Sequence, residues 1–590
     1  MKADAAWNSL LGVDVGGTFT DAVLLAGGEL RTAKVPTSAG RQEESVVDAA
    51  EAVGALDADV DRFTHGTTIA TNALLERKGA RTALVTTAGF EHVLHLRRQP
   101  RAHLYRLCEA HPEPLVPLER SYGVDERVGP EGVLRALDLR SLPDIDAEAV
   151  AVCLLFAFRH PEHERAVAAE LRRRLPGVVI AASHEVSPEF REYERASTTA
   201  VDAYLGPVVA GYLEALGERC ADARLLEPLV MRSSGGVASL REAAAHPAAL
   251  LVSGPAAGAV GAALVARQSG FGAAISFDMG GTSTDVCLIA DGAVGRSSQR
   301  DVGGLPVRLP TVDVETVGAG GGSIIWRDRG GALRAGPESA GADPGPACYG
   351  RGGPRPTVTD ANLVLGRLPR RLAGRIELDH EAAARALGDV DPADAIEAVN
   401  AEMLRALRLV SVERGHDPRE FALVAFGGAG PLHACALAEE LEIETVLVPA
   451  AAGVLSALGL VASDERRDHV RSYLCALAEA GDLPAEGEAD LRYAGQSFEL
   501  TVPLGPGLAD RFHVAHADLY GYAERGREIE LVAVRTAEVR SGPAVALPAA
   551  EPLRASGPAR VDLDCSTCWI PQGWVGVRDG TCSTLIVTKA

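Results

Sequence analysis

Asp14-Val15-Gly16-Gly17-Thr18-Phe19-Thr20-Asp21 recurs 264 residues later as Asp278-Met279-Gly280-Gly281-Thr282-Ser283-Thr284-Asp285. Both stretches obey Asp-x-Gly-Gly-Thr-x-Thr-Asp. Each is entered by an apolar run, residues 10–15 and 273–277, and each leaves through another, residues 22–25 and 286–289. The pattern predicts strand, glycine turn, strand. Paired glycines let a backbone turn tightly and approach a ligand. Successive N–H groups in such a turn form a concavity for phosphate. The hydroxyls of Thr18, Thr20, Thr282 and Thr284 add donors. Asp14, Asp21, Asp278 and Asp285 offer the hard oxygens that Mg²⁺ prefers. Two copies in one chain point to a duplicated unit clamping one nucleotide.

Other nucleotide folds do not fit. A P-loop needs a lysine after its glycines; the chain has four lysines, Lys2, Lys34, Lys78 and Lys589, and none follows a glycine. Neither hairpin has Rossmann spacing or opens directly into a helix. A third piece is Phe426-Gly427-Gly428-Ala429-Gly430-Pro431, a strand ending in small residues and opening a helix. Such a junction lets a flat or anionic group approach the backbone at the positive end of the helix dipole. After two phosphate hairpins, Gly427, Gly428, Ala429 and Gly430 read as the adenosine-side loop.

At 590 residues the chain is long enough for several domains. Its 47% apolar and 23% charged content is that of an ordinary globular protein. A net charge of −22 argues against nucleic acid and against anionic membrane surfaces. No apolar run is long enough to span a bilayer, and Trp7, Asn8 and Asp14 spoil a secretory signal. The ten cysteines are scattered, with Cys565 and Cys568 as one C-x-x-C pair. They read as reduced structural thiols, which places the protein in the cytoplasm.

Three segments are expected. Residues 1–187 alternate strands and helices around the first hairpin, with strands at 83–86 and 150–156 and a helix at 162–175. Residues 188–465 hold the second hairpin, a long helix at 393–410 and a strand at 421–426. Residues 466–590 form a smaller β-rich module, with strands at 492–502, 529–535 and 568–588.

His65-Gly66-Thr67-Thr68-Ile69-Ala70-Thr71-Asn72 places a histidine and three threonines before an apolar helix. His65 is read there either as a structural histidine or as a group beside an oxyanion at a helix N-terminus. His92, His95, His103 and His111 cluster with Arg97, Arg98, Arg101 and Arg106, a basic segment that is solvated or substrate-facing. The stretches 233–236, 253–258 and 318–323 read as small-residue loops lining a cleft. Neither G-x-S-x-G nor H-E-x-x-H is present.

Taken together, Gly12-Val-Asp-Val-Gly-Gly-Thr-Phe-Thr-Asp21, His65-Gly-Thr-Thr-Ile-Ala-Thr-Asn-Ala-Leu74, Ser253-Gly-Pro-Ala-Ala-Gly258, Phe277-Asp-Met-Gly-Gly-Thr-Ser-Thr-Asp285, Gly341-Ala-Asp-Pro-Gly-Pro-Ala-Cys-Tyr-Gly350 and Phe426-Gly-Gly-Ala-Gly-Pro431 resemble the hydantoinase A/oxoprolinase family. That family includes N-methylhydantoinase A subunits, 5-oxoprolinase, caprolactamase and subunits of acetone and acetophenone carboxylases. The resemblance implies an α/β, two-lobed actin/Hsp70/sugar-kinase-like ATPase fold. It also implies ATP and Mg²⁺ as cofactors and a separate hydantoinase B-type partner in a hetero-oligomer. The family chemistry is phosphorylation of a stable carbonyl, in a lactam or in a ketone-derived enolate with bicarbonate. The resemblance then makes Gly16, Gly17, Thr18, Gly280, Gly281 and Thr282 the phosphate cradle and gives Asp14, Asp21, Asp278 and Asp285 the metal or water. It turns His65 toward the substrate.

Overall fold

The computed structural model describes residues 7–38, 40–372 and 376–590. Residues 1–6, the start of the stretch read as lacking a leader, lie outside it. Both repeats form hairpins. Ser9–Val15 turns into Phe19–Ala26, and Ala274–Met279 turns into Thr284–Ala290. The antiparallel registers correspond, with Asp14 opposite Asp21 and Asp278 opposite Asp285. The turns close alike, Gly16 N–H on the Phe19 carbonyl and Gly280 N–H on the Ser283 carbonyl, both at 3.0 Å.

Each first strand also takes a parallel neighbour on its other edge. Arg62–Thr67 lies beside Ser9–Val15, and Ala422–Phe426 lies beside Ala274–Met279. A parallel pair needs a crossover, which helix Gln42–Ala52 supplies in the first lobe. Around these two triplets grow sheets of ten and nine strands, one per lobe. A five-stranded sheet, built on Thr82–Thr87 and Ala149–Cys153, is inserted in the first lobe. The fold is therefore the duplicated α/β ATPase architecture that the sequence predicts.

The strands of residues 466–590 are shared between the lobes. Glu465–Ala476, Ile529–Arg540, Glu488–Tyr493 and Leu500–Pro503 extend the ten-stranded sheet; Thr584–Lys589, Trp574–Arg578 and Leu553–Ser556 extend the nine-stranded one. The strand expected over 492–502 is broken by a turn at Gly495, whose φ is 82°, and Gln496 N–H closes on the Tyr493 carbonyl. The strand-like region 568–588 folds as three strands, the first two divided by the turn at Pro571-Gln572-Gly573, where Trp574 N–H donates to the Pro571 carbonyl at 3.2 Å.

Alternation along Ser9–Val15 decides what faces the cleft. Leu11, Val13 and Val15 point into a core shared with Val46, Ala49, Leu205 and Leu213. Gly12 and Asp14 point the other way, and a Cβ at Gly12 would lie 2.3 Å from the Ala457 carbonyl. The stretch read as a loop at 253–258 instead opens the helix Ser253–Gln268. Its small residues serve packing rather than turning: this helix crosses Leu455–Val461 so closely that a Cβ at Gly459 would meet the Ala257 carbonyl at 1.9 Å.

Candidate active site

Burial classes over residues 14–21 and 278–285 match position by position. Gly17, Thr18, Gly281 and Thr282 are exposed at the turn tips, Gly16 and Gly280 are half-buried, and the four aspartates are half-buried. The exposed N–H groups and hydroxyls of these turns are free to receive phosphate oxygens.

Thr20 and Thr284, expected among the ligand-facing hydroxyls, are fully buried and brace the turns instead. Thr284 Oγ1 donates to the Ala319 carbonyl at 2.6 Å. Thr20 Oγ1 shares a 3.0 Å hydrogen bond with Thr37, whose hydroxyl is also 2.9 Å from the Gly16 carbonyl. In the second lobe the 318–323 loop does similar work, with Gly321 N–H on the Gly280 carbonyl at 3.0 Å and Gly322 N–H on the Gly281 carbonyl at 2.6 Å.

The aspartates divide into two kinds. Asp21 forms an ion pair with Lys34, its register partner on Glu29–Pro36. Asp285 accepts a 2.5 Å hydrogen bond from Thr316, its register partner on Val314–Val317. Among the described residues Asp14 and Asp278 take part in no side-chain hydrogen bond or ion pair, and Asp14 Oδ1 is buried and unsatisfied. Burial and then the Asp21 charge push the Asp14 carboxyl up to about 7. Burial, Asp285 and then Asp14 itself push Asp278 up to about 8, against the opposing pull of Lys34. Helix Ser253–Gln268 reaches from one hairpin to the other: a Cβ at Gly254 would lie 4.0 Å from Asp14 Oδ2, and one at Gly258 would lie 3.1 Å from Phe426, the register partner of Asp278. The two hairpins therefore border one cleft, in which carboxylates of both lobes and the Lys34 ammonium act on one another.

The third loop joins this cleft from the second lobe. Gly427 takes φ 80° and its N–H donates to the Ala452 carbonyl at 2.9 Å, while Ala429 N–H donates to the Met279 carbonyl at 2.9 Å. Ala429 and Gly430 are buried under the second hairpin, so Gly428 and the half-buried Gly427 form the accessible part. The loop leads into helix Gly430–Glu440, with Pro431 in its first turn.

His65 does not face the cleft. It alternates with Gly66 on its strand, and Gly66 takes the Asp14 side. The imidazole is fully buried, with Nδ1 3.0 Å from the Val13 carbonyl and Nε2 2.8 Å from the Tyr212 hydroxyl. A carbonyl only accepts, so Nδ1 carries the proton and Tyr212 donates to Nε2. Burial lowers this histidine to about 4. The basic segment is held by its own contacts: Arg98 pairs with Glu194, Arg97 donates to His111 and to the Pro112 carbonyl, and His111 Nε2 meets the Pro100 carbonyl. Among the described residues no group of three or more His, Cys, Asp or Glu is arranged to hold a metal, and no disulfide forms. No helix is long and apolar enough to cross a membrane.

Sequence reasoning missed Lys34 and Thr37. The signal was there: Lys34 lies 13 residues beyond Asp21 on the next strand of the same meander, at the register position facing it.

A hydantoinase/oxoprolinase N-terminal region model matches residues 10–175 and a hydantoinase/oxoprolinase model matches 195–469. The caprolactamase subunit alpha of Pseudomonas jessenii is 35% identical, across 88% of this chain and 85% of that one. The chain belongs to the hydantoinase/oxoprolinase family. The acetophenone carboxylase gamma subunit of Aromatoleum aromaticum, also 35% identical, aligns over 74% of this chain and 66% of that one. The crystal structure of the ATP-dependent caprolactamase of Pseudomonas jessenii superposes with a TM-score of 0.83 and 29% identity, over 98% of this chain and 100% of that one. A nucleotide-free acetone carboxylase structure shares the hydantoinase/oxoprolinase fold, with a TM-score of 0.79 and 23% identity over 99% of this chain and all of that one.

Proposed function

We propose that the chain is the A-type subunit of an ATP-dependent cyclic amide hydrolase. Its substrate is a hydantoin, 5-oxoproline or another lactam, and it works with a B-type partner subunit. The observation that carries this reading is the facing pair of hairpins, with Asp14 and Asp278 in one electrostatic neighbourhood. Phosphoryl transfer is dominated by positioning and charge neutralisation. Backbone N–H groups of Gly17, Thr18, Gly281 and Thr282 bind the phosphates; Gly16 and Gly280, read in the sequence as part of the cradle, spend their N–H groups closing the turns. Gly427 and Gly428 border the adenosine.

The residues fit Mg²⁺. Asp14 Oδ1 lacks a partner, and burial pushes both cleft carboxyls up, with Asp21 adding to the rise of Asp14 and Asp285 and Asp14 to that of Asp278, a cost that a cation offsets. Mg²⁺ retains water and takes one or two carboxylates plus phosphate oxygens, so a cage of three protein ligands is not required. Asp14 and Asp278 would hold it, with Asp21 and Asp285 behind them. When bound, it supplies charge neutralisation for the transferred phosphoryl group. Lys34 adds the cation that the glycine turns lack. The lactam carbonyl oxygen accepts the phosphoryl group, and the activated amide is then hydrolysed with the partner's help.

The similarity to a caprolactamase supports the hydrolase reading. The equal identity to an acetophenone carboxylase subunit supports a second one, a ketone carboxylase subunit. ADP release by the purified chain with its B-type partner separates them. Lactam-stimulated release that ignores bicarbonate supports the hydrolase. Strict dependence on bicarbonate and a ketone replaces it with the carboxylase.

A further inference from the structure

A cavity of about 330 Å³ opens away from the cleft. Its walls are the strands Leu229–Met231 and Val237–Ala238 and the ends of Glu465–Ala476 and Ile529–Arg540. The volume is in the range of small-molecule sites, roughly 300–1,000 Å³. The stretch Ser233-Ser234-Gly235-Gly236, one of the small-residue loops, is the turn that shapes this wall. Gly235 adopts φ 85°, and Arg232 N–H closes on the Gly236 carbonyl at 2.8 Å. A Cβ at Gly236 would lie 2.2 Å from Arg466 Cβ, so the turn is pressed onto the neighbouring strand.

The charges on the lining are unevenly matched. Arg466 pairs with Asp468 at 2.8 Å, Arg540 with Glu465 at 3.7 Å and Glu538 with His469 at 3.4 Å. Arg232 and Arg467 take part in no side-chain hydrogen bond or ion pair among the described residues, and Arg232 Nε is buried without a partner. The two guanidiniums repel each other: burial lowers Arg232, and Arg467 lowers it further. Glu242 and Asp468 pull the other way without pairing with Arg232; Glu242 accepts the backbone N–H and hydroxyl of Ser239 through Oε2, which leaves Oε1 open. Arg232 is half-buried, and its Nε is shut away from water without an acceptor, which is costly. A planar carboxylate is the acceptor that its fork geometry matches.

We propose that this cavity binds a small amino acid, its carboxylate between Arg232 and Arg467 and its ammonium on Glu242. The choice of an amino acid rests on the hydrolase reading above: opening a cyclic amide releases an open-chain molecule with a carboxylate, and a lactam yields an amine at the other end. The arginine pair alone calls for a carboxylate. The site is then a product-sensing site on the middle strands of the first lobe's sheet.

Calorimetric titration of the full chain, without ATP, tests it with four probes: 6-aminohexanoate, L-glutamate, succinate and inorganic phosphate. An amino acid is expected to bind, and Arg467→Gln, a change at an exposed position, to weaken it about tenfold or more. Arg232→Lys keeps the charge without the fork and is expected to weaken binding as well. Glu242→Gln is expected to weaken the amino acids while sparing succinate. No binding of either amino acid, unchanged binding in Arg467→Gln, or phosphate binding as tightly as the amino acids would each overturn the proposal. ADP release by the same chain assayed with its B-type partner keeps the two readings apart. If lactams fail to stimulate it while an amino acid still binds through Arg467, the hydrolase reading falls and the site stands.

Discussion

Gly66 lies so close to Asp14 that a Cβ built on it would sit 2.3 Å from Asp14 Oδ1. Gly427 stands in the same relation to Asp278, also at 2.3 Å. Each glycine is on the strand parallel to its hairpin or just beyond that strand's end. The duplication therefore covers three strands per lobe, and it includes the absence of a side chain beside each cleft carboxylate.

Gly66→Ala should displace Asp14 and weaken Mg-ATP binding about tenfold or more, with about 1–3 kcal/mol of lost stability from overpacking. Gly272→Ala is the matched control, because that exposed glycine is outside the cleft and nothing lies within 4 Å of a Cβ there; its stability should change by no more than about 0.5 kcal/mol. Nucleotide titration and urea unfolding of both variants give the comparison. Equal nucleotide affinity in Gly66→Ala and the parent would mean that the position of Asp14 is not what binds Mg-ATP.

The raised carboxyls of Asp14 and Asp278 predict a specific pH profile. Between the unfolded value near 3.8 and the folded values of about 7 and 8, the folded chain keeps protons that the unfolded chain has lost. Stability without ligand should therefore fall as pH rises through this window. Asp14→Asn and Asp278→Asn remove the titration, so each variant should have a flatter profile and exceed the parent's stability near pH 8. Saturating Mg²⁺ should flatten the parent's profile too, since ionised carboxylates then have a counter-charge. Urea midpoints at about pH 5 and about pH 8, with and without Mg²⁺, measure this. An undiminished decline in both variants would remove these two groups as its cause.

Among the described residues Lys34 is the one cation paired with a hairpin carboxylate. Lys34→Met leaves Asp21 without its partner and removes the positive charge that Asp14 and Asp278 feel. ATP turnover should fall by roughly 10² or more, in line with the loss of one preorganised electrostatic group. Lys34→Arg should recover part of it, because the charge returns without the same geometry. Steady-state ADP release reads both, and full turnover in Lys34→Met would show that phosphate needs no lysine here.

How much of this was legible in the sequence follows from range. The hairpins were, because Asp-x-Gly-Gly-Thr-x-Thr-Asp is a local pattern whose turn chemistry is fixed by neighbouring residues. The face that each residue takes was less so. Thr20 and Thr284 share the motif with Thr18 and Thr282, yet strand alternation buries the former pair against Thr37 and the Ala319 carbonyl, partners 17 and 35 residues away. The glycines of 253–258 look like turn formers in sequence; only distant partners show otherwise, Asp14 beside Gly254, and Phe426 and Ser456 of helix Leu455–Val461 against Gly258. The sharing of residues 466–590 between two sheets rests on pairings such as Val237 with Glu465 and Val446 with Val587, which no local signal encodes.

The same limit governs His65, and it yields a last prediction. A histidine next to glycine and threonines has the composition of an oxyanion site, but its ring is spent on the Val13 carbonyl and Tyr212. Its folded value of about 4 lies below the unfolded 6.5. The unfolded chain thus binds the extra proton in that window, and the stability that His65 contributes is present above about pH 6.5 and lost as pH falls toward 4. His65→Ala empties a fully buried site that bridges the first hairpin strand and helix Glu192–Asp222, at a cost of about 2–4 kcal/mol from the cavity and the orphaned Tyr212 hydroxyl. Because the ring is neutral throughout the range where turnover is measured, the pH dependence of ADP release should keep its shape in any His65 variant that still folds. His65→Asn, which keeps a polar side chain for Val13, is the variant to use. If it abolished an inflection between about pH 5 and 8 while leaving the unfolding midpoint unchanged, His65 would belong to the chemistry after all.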